Sequence, residues 1–274
     1  LHSRVLQESV NEESSANAKK VEEEKMFQEI VDKFFTSIQK EKGLDRQNFR
    51  CNSCKKSIGL TFSKYKLCAL DGMYYCEICF ESGVLNIIPS RLIYNWDSRP
   101  RLVHPNNKIL LDRINDRPFI RIDVLNPALY HHCPTMNTAK ILREKLSFAA
   151  MYLLSCRDSV AHDLQMRVWP KEYLYNDIHL YSFSDLITVL SGQFQRHLSS
   201  ILSYAVNHIH ACILCSQKGY LCEICPSNDV IYPFEIETTF RCNICFSLYH
   251  KKCIGEMSCP KCIRKEFYAN CQTN

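Results

Sequence analysis

Apolar side chains recur at helical spacing near the start of the chain. The first such stripe runs through Phe27, Ile30, Val31, Phe34 and Ile38, and it predicts an amphipathic helix that begins at about Val21. A stripe of this kind more often docks against its own domain than binds a partner. The residues up to about 18 are polar and charged, and we expect them to be disordered.

The clearest helical pattern lies in the middle of the chain. Six apolar positions alternate steps of four and three residues and predict one long helix: Leu142, Leu146, Ala149, Leu153, Cys156 and Val160. Pro170 prevents its continuation. A second helical run extends from about Phe183 to His210, with one apolar face through Leu198, Leu202, Ala205 and Ile209, and it leads directly into Cys212. Between residues 87 and 135, six prolines predict short helices and turns.

Cysteine is the residue type that changes this picture most, since the 274-residue chain has 17 of them. Disulfides suit short secreted chains, whereas this chain is long, has an odd number of cysteines and starts without an apolar signal segment. We therefore expect a cytoplasmic protein whose cysteines bind zinc. The first residue is Leu1, which favours a piece of a longer protein. Six C-x-x-C pairs and one H-x-x-C pair supply the predicted ligands: Cys51, Cys54, Cys76, Cys79, Cys212, Cys215, Cys222, Cys225, Cys242, Cys245, His250, Cys253, Cys259 and Cys262.

The first four of these cysteines predict one closed zinc site, because 21 residues separate the two pairs. Cys68 lies between the pairs and is interpreted as a small buried apolar residue rather than a ligand. The ten ligands from Cys212 onward leave their pairing open. Their order resembles cross-brace fingers, in which alternate pairs share an ion, and the spare pair could then recruit His208 or His210 for a third site. Alternatively, Cys212 to Cys225 could form a compact ribbon.

The predicted zinc is structural rather than catalytic, because thiolates dominate the ligand set and catalytic sites keep an open position for water. The sequence lacks the H-E-x-x-H, G-x-S-x-G and Walker patterns of common enzymes. We expect a non-enzymatic protein with three or more zinc ions. Its fold class is predicted as mainly α with small zinc-stabilised β-knuckles, in which an N-terminal four-cysteine site and a C-terminal multi-zinc lobe, RING/FYVE-like or ribbon, flank a helical body.

Several longer motifs resemble the Rubicon homology domain over about residues 46–265. They are F-R-C-N-S-C from Phe49, Y-Y-C-E-I-C ending at Cys79, I-P-S-R-L-I-Y-N-W-D from Ile88, D-I-H-L-Y-S-F-S-D-L from Asp177, and the terminal ligand series. The resemblance predicts one continuous module. Its predicted parts are a lead-in and helix over 1–45, an N-terminal zinc lobe over 46–98, a helical middle over 99–210 and a C-terminal zinc lobe over 211–274.

The resemblance also implies a function, since this family of Rubicon- and Pacer-like proteins regulates autophagy and endosome maturation. It implies an adaptor domain that binds a GTP-loaded late-endosomal Rab GTPase, with phosphoinositide-containing membranes and tethering or lipid-kinase complexes as further partners. The implied location is cytoplasmic and peripheral, at late endosomes, lysosomes or autophagosomes. The competing hypothesis is a RING-type ubiquitin ligase on residues 222–262, although only five residues separate Cys253 from Cys259.

Two concentrations of basic residues offer candidate surfaces for binding anionic lipid. A segment over residues 99–121 could serve lipid or pair with the acidic first helix. The other predicted lipid-binding residues lie around the last knuckles: Arg241, Lys251, Lys252, Lys261, Arg264 and Lys265. Nucleic acid is not the expected partner, because the pI of about 8.4 is mild for a groove binder. Aromatic candidates for a GTPase surface, which are more often core residues, are Tyr173, Tyr175, Tyr181, Phe183 and Phe194.

Overall fold

A computed structural model describes residues 21–59 and 63–272, so the predicted disorder before residue 18 lies outside the described residues. About half of the chain is helical, with short antiparallel strands, and the predicted fold class is confirmed. The helices are α1 (21–34), α2 (Pro89–Asn95), α3 (Pro105–Ile114), α4 (Ile122–Leu125), α5 (Leu129–His132), α6 (Pro134–Leu154), α7 (Asp158–Val168), α8 (Tyr173–Asn176), α9 (Phe183–Leu190), α10 (Gln193–Ala211), α11 (Ile213–Ser216), α12 (Lys251–Ile254) and α13 (Pro260–Gln272).

The strands are two or three residues long and form two-stranded sheets. β1 pairs with β2, β3 with β4, β7 with β8 and β9 with β10, all antiparallel. Isolated pairs of this length are marginal in water, so they need packing or a metal to persist. The strands are β1 (Tyr65–Leu67), β2 (Tyr74–Cys76), β3 (Val84–Asn86), β4 (Arg101–Val103), β5 (Ile120–Arg121), β6 (Leu180–Tyr181), β7 (Tyr220–Leu221), β8 (Val230–Ile231), β9 (Thr239–Arg241) and β10 (Leu248–His250).

The chain forms two compact units. Of the described residues, the first comprises 21–59, 63–133 and 181–187, and the second comprises 134–180 and 188–272. The finer division into four sequence segments stays a prediction.

Helix α1 lies against the core of the first unit. The Phe27 ring meets Phe119 edge to face at 5.1 Å, while Phe35, just after the helix, meets the same ring at 4.8 Å. Arg117 places its guanidinium 3.6 Å above the Phe27 ring and bonds Glu24 at 2.8 Å. The apolar stripe is therefore a docking face within its own unit, and one charge of the 99–121 segment pairs with the acidic helix.

The second unit is built on α6 and α10, which pack against each other. The single long helix predicted through Cys156 and Val160 is wrong, because α6 ends at Leu154 and α7 starts at Asp158. At this end the Ser155 hydroxyl donates to the Met151 carbonyl at 2.7 Å, and the chain then turns. Cys156 therefore lies in this turn and does not continue the apolar face of α6.

The helical run predicted from Phe183 to His210 is also interrupted. α9 ends at Leu190 and α10 starts at Gln193, with Gly192 between them at φ 71°. This left-handed conformation suits glycine, which lacks the Cβ that would clash. Within residues 21–59 and 63–272, no helix combines the length and apolar character that crossing a bilayer requires.

Candidate metal centres

In the part of the chain that the structure describes, four groups of cysteine and histidine side chains bring their donor atoms within 4.8 Å of one another. All 14 sequence-predicted ligand positions lie in these groups, together with His208 and Cys156. Each group offers four donors, which matches the closed tetrahedral sites of structural zinc. Cluster 1 is Cys51, Cys54, Cys76 and Cys79; cluster 2 is Cys156, His208, Cys212 and Cys215; cluster 3 is Cys222, Cys225, His250 and Cys253; cluster 4 is Cys242, Cys245, Cys259 and Cys262.

The donor spacings fit a zinc ion. Tetrahedral bonds of about 2.3 Å to sulfur place two sulfur atoms about 3.8 Å apart, whereas a disulfide would place them about 2 Å apart. The Cys54 and Cys76 sulfurs are 3.7 Å apart, and those of Cys242 and Cys262 are also 3.7 Å apart. A sulfur and an imidazole nitrogen on one zinc lie about 3.6 Å apart. Cys156 Sγ lies 3.5 Å from His208 Nε2.

Cluster 1 is held by a backbone turn and a hairpin. The Lys55 amide donates to the Cys51 carbonyl at 3.0 Å, and the Cys51 amide donates to the Lys56 carbonyl at 2.8 Å. This turn aims Cys51 and Cys54 at one point. The hairpin of β1 and β2 supplies Cys76 at its end, and Cys79 follows in the next turn. The structure places the first two C-x-x-C motifs in one cluster, as the sequence predicts.

Cluster 2 joins the ends of two helices. His208 and Cys212 are four residues apart at the end of α10, a spacing that puts both on one face of a helix. Cys215 follows in α11, and Cys156 comes from the turn after α6, with its sulfur 3.9 Å from that of Cys212. The spare C-x-x-C pair therefore lies with a histidine, and the ribbon of Cys212 to Cys225 does not form.

Sequence reasoning missed Cys156. It continues the apolar spacing of α6 and has no C-x-x-C partner, so its pattern matches a core residue. Two signals could have indicated Cys156 as a ligand. Cys212, Cys215 and a histidine make only three donors for a tetrahedral site, and the number of cysteines is odd. The other histidine candidate, His210, lies outside cluster 2 and meets the Tyr232 ring edge to face at 5.1 Å.

Clusters 3 and 4 have the cross-brace arrangement. The pair at Cys222 lies with the pair at His250, and the intervening pair at Cys242 lies with the pair at Cys259. Strands β9 and β10 place consecutive pairs in different clusters. One small core serves both, and its buried members are Cys222, Ile231, Cys242, Leu248, Tyr249, Ile254 and Cys259.

The thiols of one cluster have opposed pKa shifts. Burial disfavours the Cys222 thiolate, but surrounding backbone N–H groups outweigh it and lower its pKa to about 6. Burial and the Cys225 sulfur raise the pKa of Cys253 to about 11. Likewise, backbone N–H groups overcome burial to lower the pKa of Cys51 to about 7, while burial and neighbouring thiols raise the pKa of Cys79 to about 12. A divalent cation in each cluster would stabilise the thiolates of that cluster together, so these groups are suited to metal.

Cys68 is fully buried outside the clusters, as its interpretation as an apolar core residue requires. Its sulfur accepts hydrogen bonds from the His104 amide and the Asn107 side chain, both at 3.4 Å. Burial raises the pKa of the Cys68 thiol, which keeps it protonated and unreactive.

The predicted lipid-binding residues have different surroundings. Lys251, Lys252 and Lys265 are exposed and Lys261 is half-buried. Arg264 bonds Glu223 at 2.7 Å. The Arg241 guanidinium lies 4.4 Å from the centroid of the Phe246 ring. Their role in lipid binding stays a prediction.

The aromatic residues considered for a GTPase surface are mostly core residues. Tyr175, Tyr181, Phe183 and Phe194 are buried, and Tyr173 is half-buried. A partner surface must therefore be sought among other apolar side chains.

The clusters lie on short strands and at helix ends. This arrangement defines a class of helical domains whose cysteine- and histidine-rich knuckles could hold metal. The chain matches the Rubicon Homology Domain family over residues 66–267, and it belongs to that family.

Three relatives show how far the similarity extends. Pleckstrin homology domain-containing family M member 3 is 42% identical in Xenopus laevis and 40% identical in Homo sapiens, in each case over 232 residues that cover 84% of this chain. The matches span 31% and 30% of those proteins. The Drosophila melanogaster protein Differentially expressed in FDCP 8 homolog is 33% identical over 229 residues, which cover 81% of this chain and 46% of that protein. The chain therefore spans less than half the length of these relatives.

Proposed function

We propose that this chain is a non-enzymatic, zinc-binding adaptor domain that recognises the GTP-loaded form of a late-endosomal Rab GTPase. The proposal includes peripheral association with phosphoinositide-containing membranes and a role in autophagosome and endosome maturation. Membership of the Rubicon homology family over residues 66–267 is the observation that carries it. Zinc, four ions per chain, is the proposed cofactor.

The donor geometry supports a structural role for the metal. Each cluster presents four sulfur or imidazole donors, so a tetrahedral zinc ion would have no position left for water or substrate. Each cluster also connects segments that are distant along the chain, such as β10 with the turn after β7 in cluster 3 and the end of α10 with the turn after α6 in cluster 2. A rigid scaffold of this kind can hold a binding surface in place without chemistry of its own.

An exposed apolar patch in the second unit is the proposed GTPase surface. Leu154 and Ile213 lie within two residues of the cluster 2 donors Cys156 and Cys212, and they are 39% and 73% exposed. Leu214, which follows Ile213 in sequence, is 49% exposed. Apolar side chains in a polar surround are typical of protein interfaces. The domain would bind the GTP-loaded form of the GTPase selectively, because the switch segments present a surface complementary to the patch only when GTP orders them.

We expect purified domain to bind the late-endosomal Rab loaded with a GTP analogue more tightly than the same Rab loaded with GDP. Ile213→Asp is expected to weaken this binding by about tenfold or more, because a carboxylate would be desolvated in an apolar contact. Titration calorimetry in solution, without membranes, measures both effects. Ile78→Asp is the matched control, because Ile78 is 71% exposed and also lies between two cluster cysteines. Equal affinity for the two nucleotide states would contradict the GTPase proposal.

A RING-type ubiquitin ligase is the second candidate, because clusters 3 and 4 share the cross-brace arrangement. The segment between Cys253 and Cys259 counts against it. Here α12 ends at Ile254 and only a short turn reaches Cys259, which leaves little room for a platform that binds a conjugating enzyme. We expect no autoubiquitination by zinc-loaded domain with a panel of conjugating enzymes. Zinc-dependent ubiquitin chains would favour the ligase instead.

A further inference from the structure

We propose that the knuckle of cluster 4 is a membrane-inserting edge. In this proposal Ile244, Phe246 and Met257, which we call the apolar tip, enter the acyl boundary of an anionic membrane, while Lys261 and Lys265 meet its headgroups. The inference deepens the membrane association in the proposed function and rests on it.

The apolar tip is exposed although each member lies close to a candidate ligand. Ile244 is 79% exposed, and Phe246 and Met257 are each 55% exposed. Ile244 lies between Cys242 and Cys245, and its amide donates to the Cys242 sulfur at 3.4 Å. Met257 lies two residues before Cys259, whose sulfur is 3.5 Å from that of Cys245. The cluster therefore brings together the chain segments that carry these three exposed side chains.

The backbone conformation at Phe246 is unfavourable for a bulky residue, which indicates that the side chain serves binding rather than folding. Phe246 has φ 60°, and its amide donates to the Cys242 carbonyl at 3.0 Å. Lys55 makes the same turn in cluster 1, with φ 62° and the equivalent bond to Cys51. Glycine fits this left-handed position best, and a bulky aromatic residue there is an outlier. Since the Phe246 ring is largely exposed, burial does not offset the unfavourable backbone.

A cationic side chain stacks on the exposed ring of Phe246. The Arg241 guanidinium lies 4.4 Å from the Phe246 ring centroid. An arginine stacked on an aromatic side chain places positive charge beside an apolar surface. This combination suits a boundary at which acyl chains meet anionic headgroups.

Charge distinguishes this knuckle from a similar one in the first unit. Cluster 1 contains the sequence C-E-I-C and cluster 4 contains C-N-I-C, so Ile78 and Ile244 occupy the same position. Ile78 is 71% exposed but is flanked by Glu77 and Glu81. Both isoleucines are thus available to an apolar partner, while an anionic membrane would repel the surroundings of Ile78.

The surroundings of Ile244 are basic. Residues 240–266 carry six basic residues against the two acidic residues Glu256 and Glu266. Lys261 lies between Cys259 and Cys262, and Lys265 is one turn further along α13, on the same helix face. Basic residues near an anionic leaflet add to the apolar contribution, and their effect falls with salt. This charge complementarity selects an anionic membrane as the occupant.

The experiment measures binding of the zinc-loaded chain to phosphatidylcholine vesicles with and without phosphatidylserine. We expect binding to the anionic vesicles only. Ile244→Ser is expected to weaken it about tenfold, because an inserted apolar side chain is lost. Ile78→Ser, at the matched position of cluster 1, should leave it unchanged. Phe246→Gly should also weaken binding about tenfold without lowering the melting temperature, since glycine relieves the left-handed backbone.

Lys55→Gly is the control for Phe246→Gly, because it relieves the same backbone conformation in cluster 1 and should leave vesicle binding intact. Unchanged binding of both Ile244→Ser and Phe246→Gly would overturn the insertion proposal, as would a lower melting temperature and loss of zinc in Phe246→Gly. The proposal would also be overturned if Ile244→Ser and Phe246→Gly abolished self-association of the chain in solution but left vesicle binding normal, because the apolar tip would then be a contact between copies of the chain. GTPase binding is measured without membranes, so its failure leaves the vesicle result intact and the two proposals fail separately.

Discussion

Replacing Cys242 by serine is expected to unfold the C-terminal part of the second unit and to reduce the zinc content from four ions per chain to two. Cys242 is both a donor of cluster 4 and a member of the small core that clusters 3 and 4 share. The loss of one structural zinc removes on the order of 10 kcal/mol of binding-coupled folding free energy. Metal analysis and denaturant unfolding followed by circular dichroism measure the change.

His250→Ala should have the same consequence through cluster 3. Its Nδ1 lies 3.4 Å from the Cys225 sulfur and 3.7 Å from the Cys253 sulfur, and alanine offers no donor. Loss of cluster 3 exposes the shared core, so the ion of cluster 4 should be lost as well.

Cys133→Ala is the control for the loss of a buried cysteine. Cys133 is buried but belongs to none of the four clusters. We expect this variant to keep four zinc ions and to lose only the roughly 1 kcal/mol typical of a small buried change. Four retained ions and an unchanged melting curve in Cys242→Ser would contradict a structural role for cluster 4.

Replacing Arg143 by methionine is expected to lower the free energy of unfolding by roughly 3–5 kcal/mol. Arg143 lies on α6 with no solvent exposure. Methionine fills a similar volume but donates no hydrogen bond, so buried carbonyls would lose a charged donor. The carbonyls that accept from its guanidinium belong to Leu174, Leu180, Tyr173 and Asp177, at 3.1, 2.6, 2.7 and 2.7 Å.

Arg143→Lys tests whether the planar fork matters beyond the charge. A lysine ammonium has three donors at one point and cannot span the carbonyls that the guanidinium reaches, so we expect only partial recovery. Arg196→Met is the control, because Arg196 is exposed on α10 and should change stability by about 0.5 kcal/mol or less. Urea unfolding of the zinc-loaded variants provides the comparison. A loss in Arg143→Met no larger than in the control would show that the buried hydrogen bonds contribute little.

The two largest effects act through different parts of the second unit. Around clusters 3 and 4, three of the seven buried core residues are candidate metal ligands and two more adjoin one in sequence. We therefore expect bound metal to supply the stability that so short a segment cannot gain by burying apolar surface. Around α6 and α10, long helices bury a conventional apolar seam, and one buried arginine satisfies the backbone where α8 ends. We therefore expect stability to depend on metal at one end of this unit and on packing and hydrogen bonds at the other.

Local spacing in the sequence was enough for the features that involve neighbouring residues. The C-x-x-C pairs mark turns whose two sulfur atoms point the same way, and the stripe through Phe27 and Phe34 identifies the buried face of α1. The fold class follows from the same signals, because helical periodicity and cysteine turns are both short-range. The motifs from Phe49 to the last cysteine pair were also sufficient to indicate the family.

Tertiary structure decided which distant residues meet. The sequence left the pairing of the ten C-terminal ligands open, since any two pairs could share an ion, and the register of β9 with β10 selects the cross-brace. Cys156 becomes a candidate ligand only because α6 ends at Leu154 and packs on α10, which brings the turn to His208. Arg143 is a charged residue among the buried positions of α6, and its burial is favourable only where the fold assembles carbonyls around it. Spacing along a chain specifies neighbours in a turn or helix, whereas partners 50 residues apart meet only through packing.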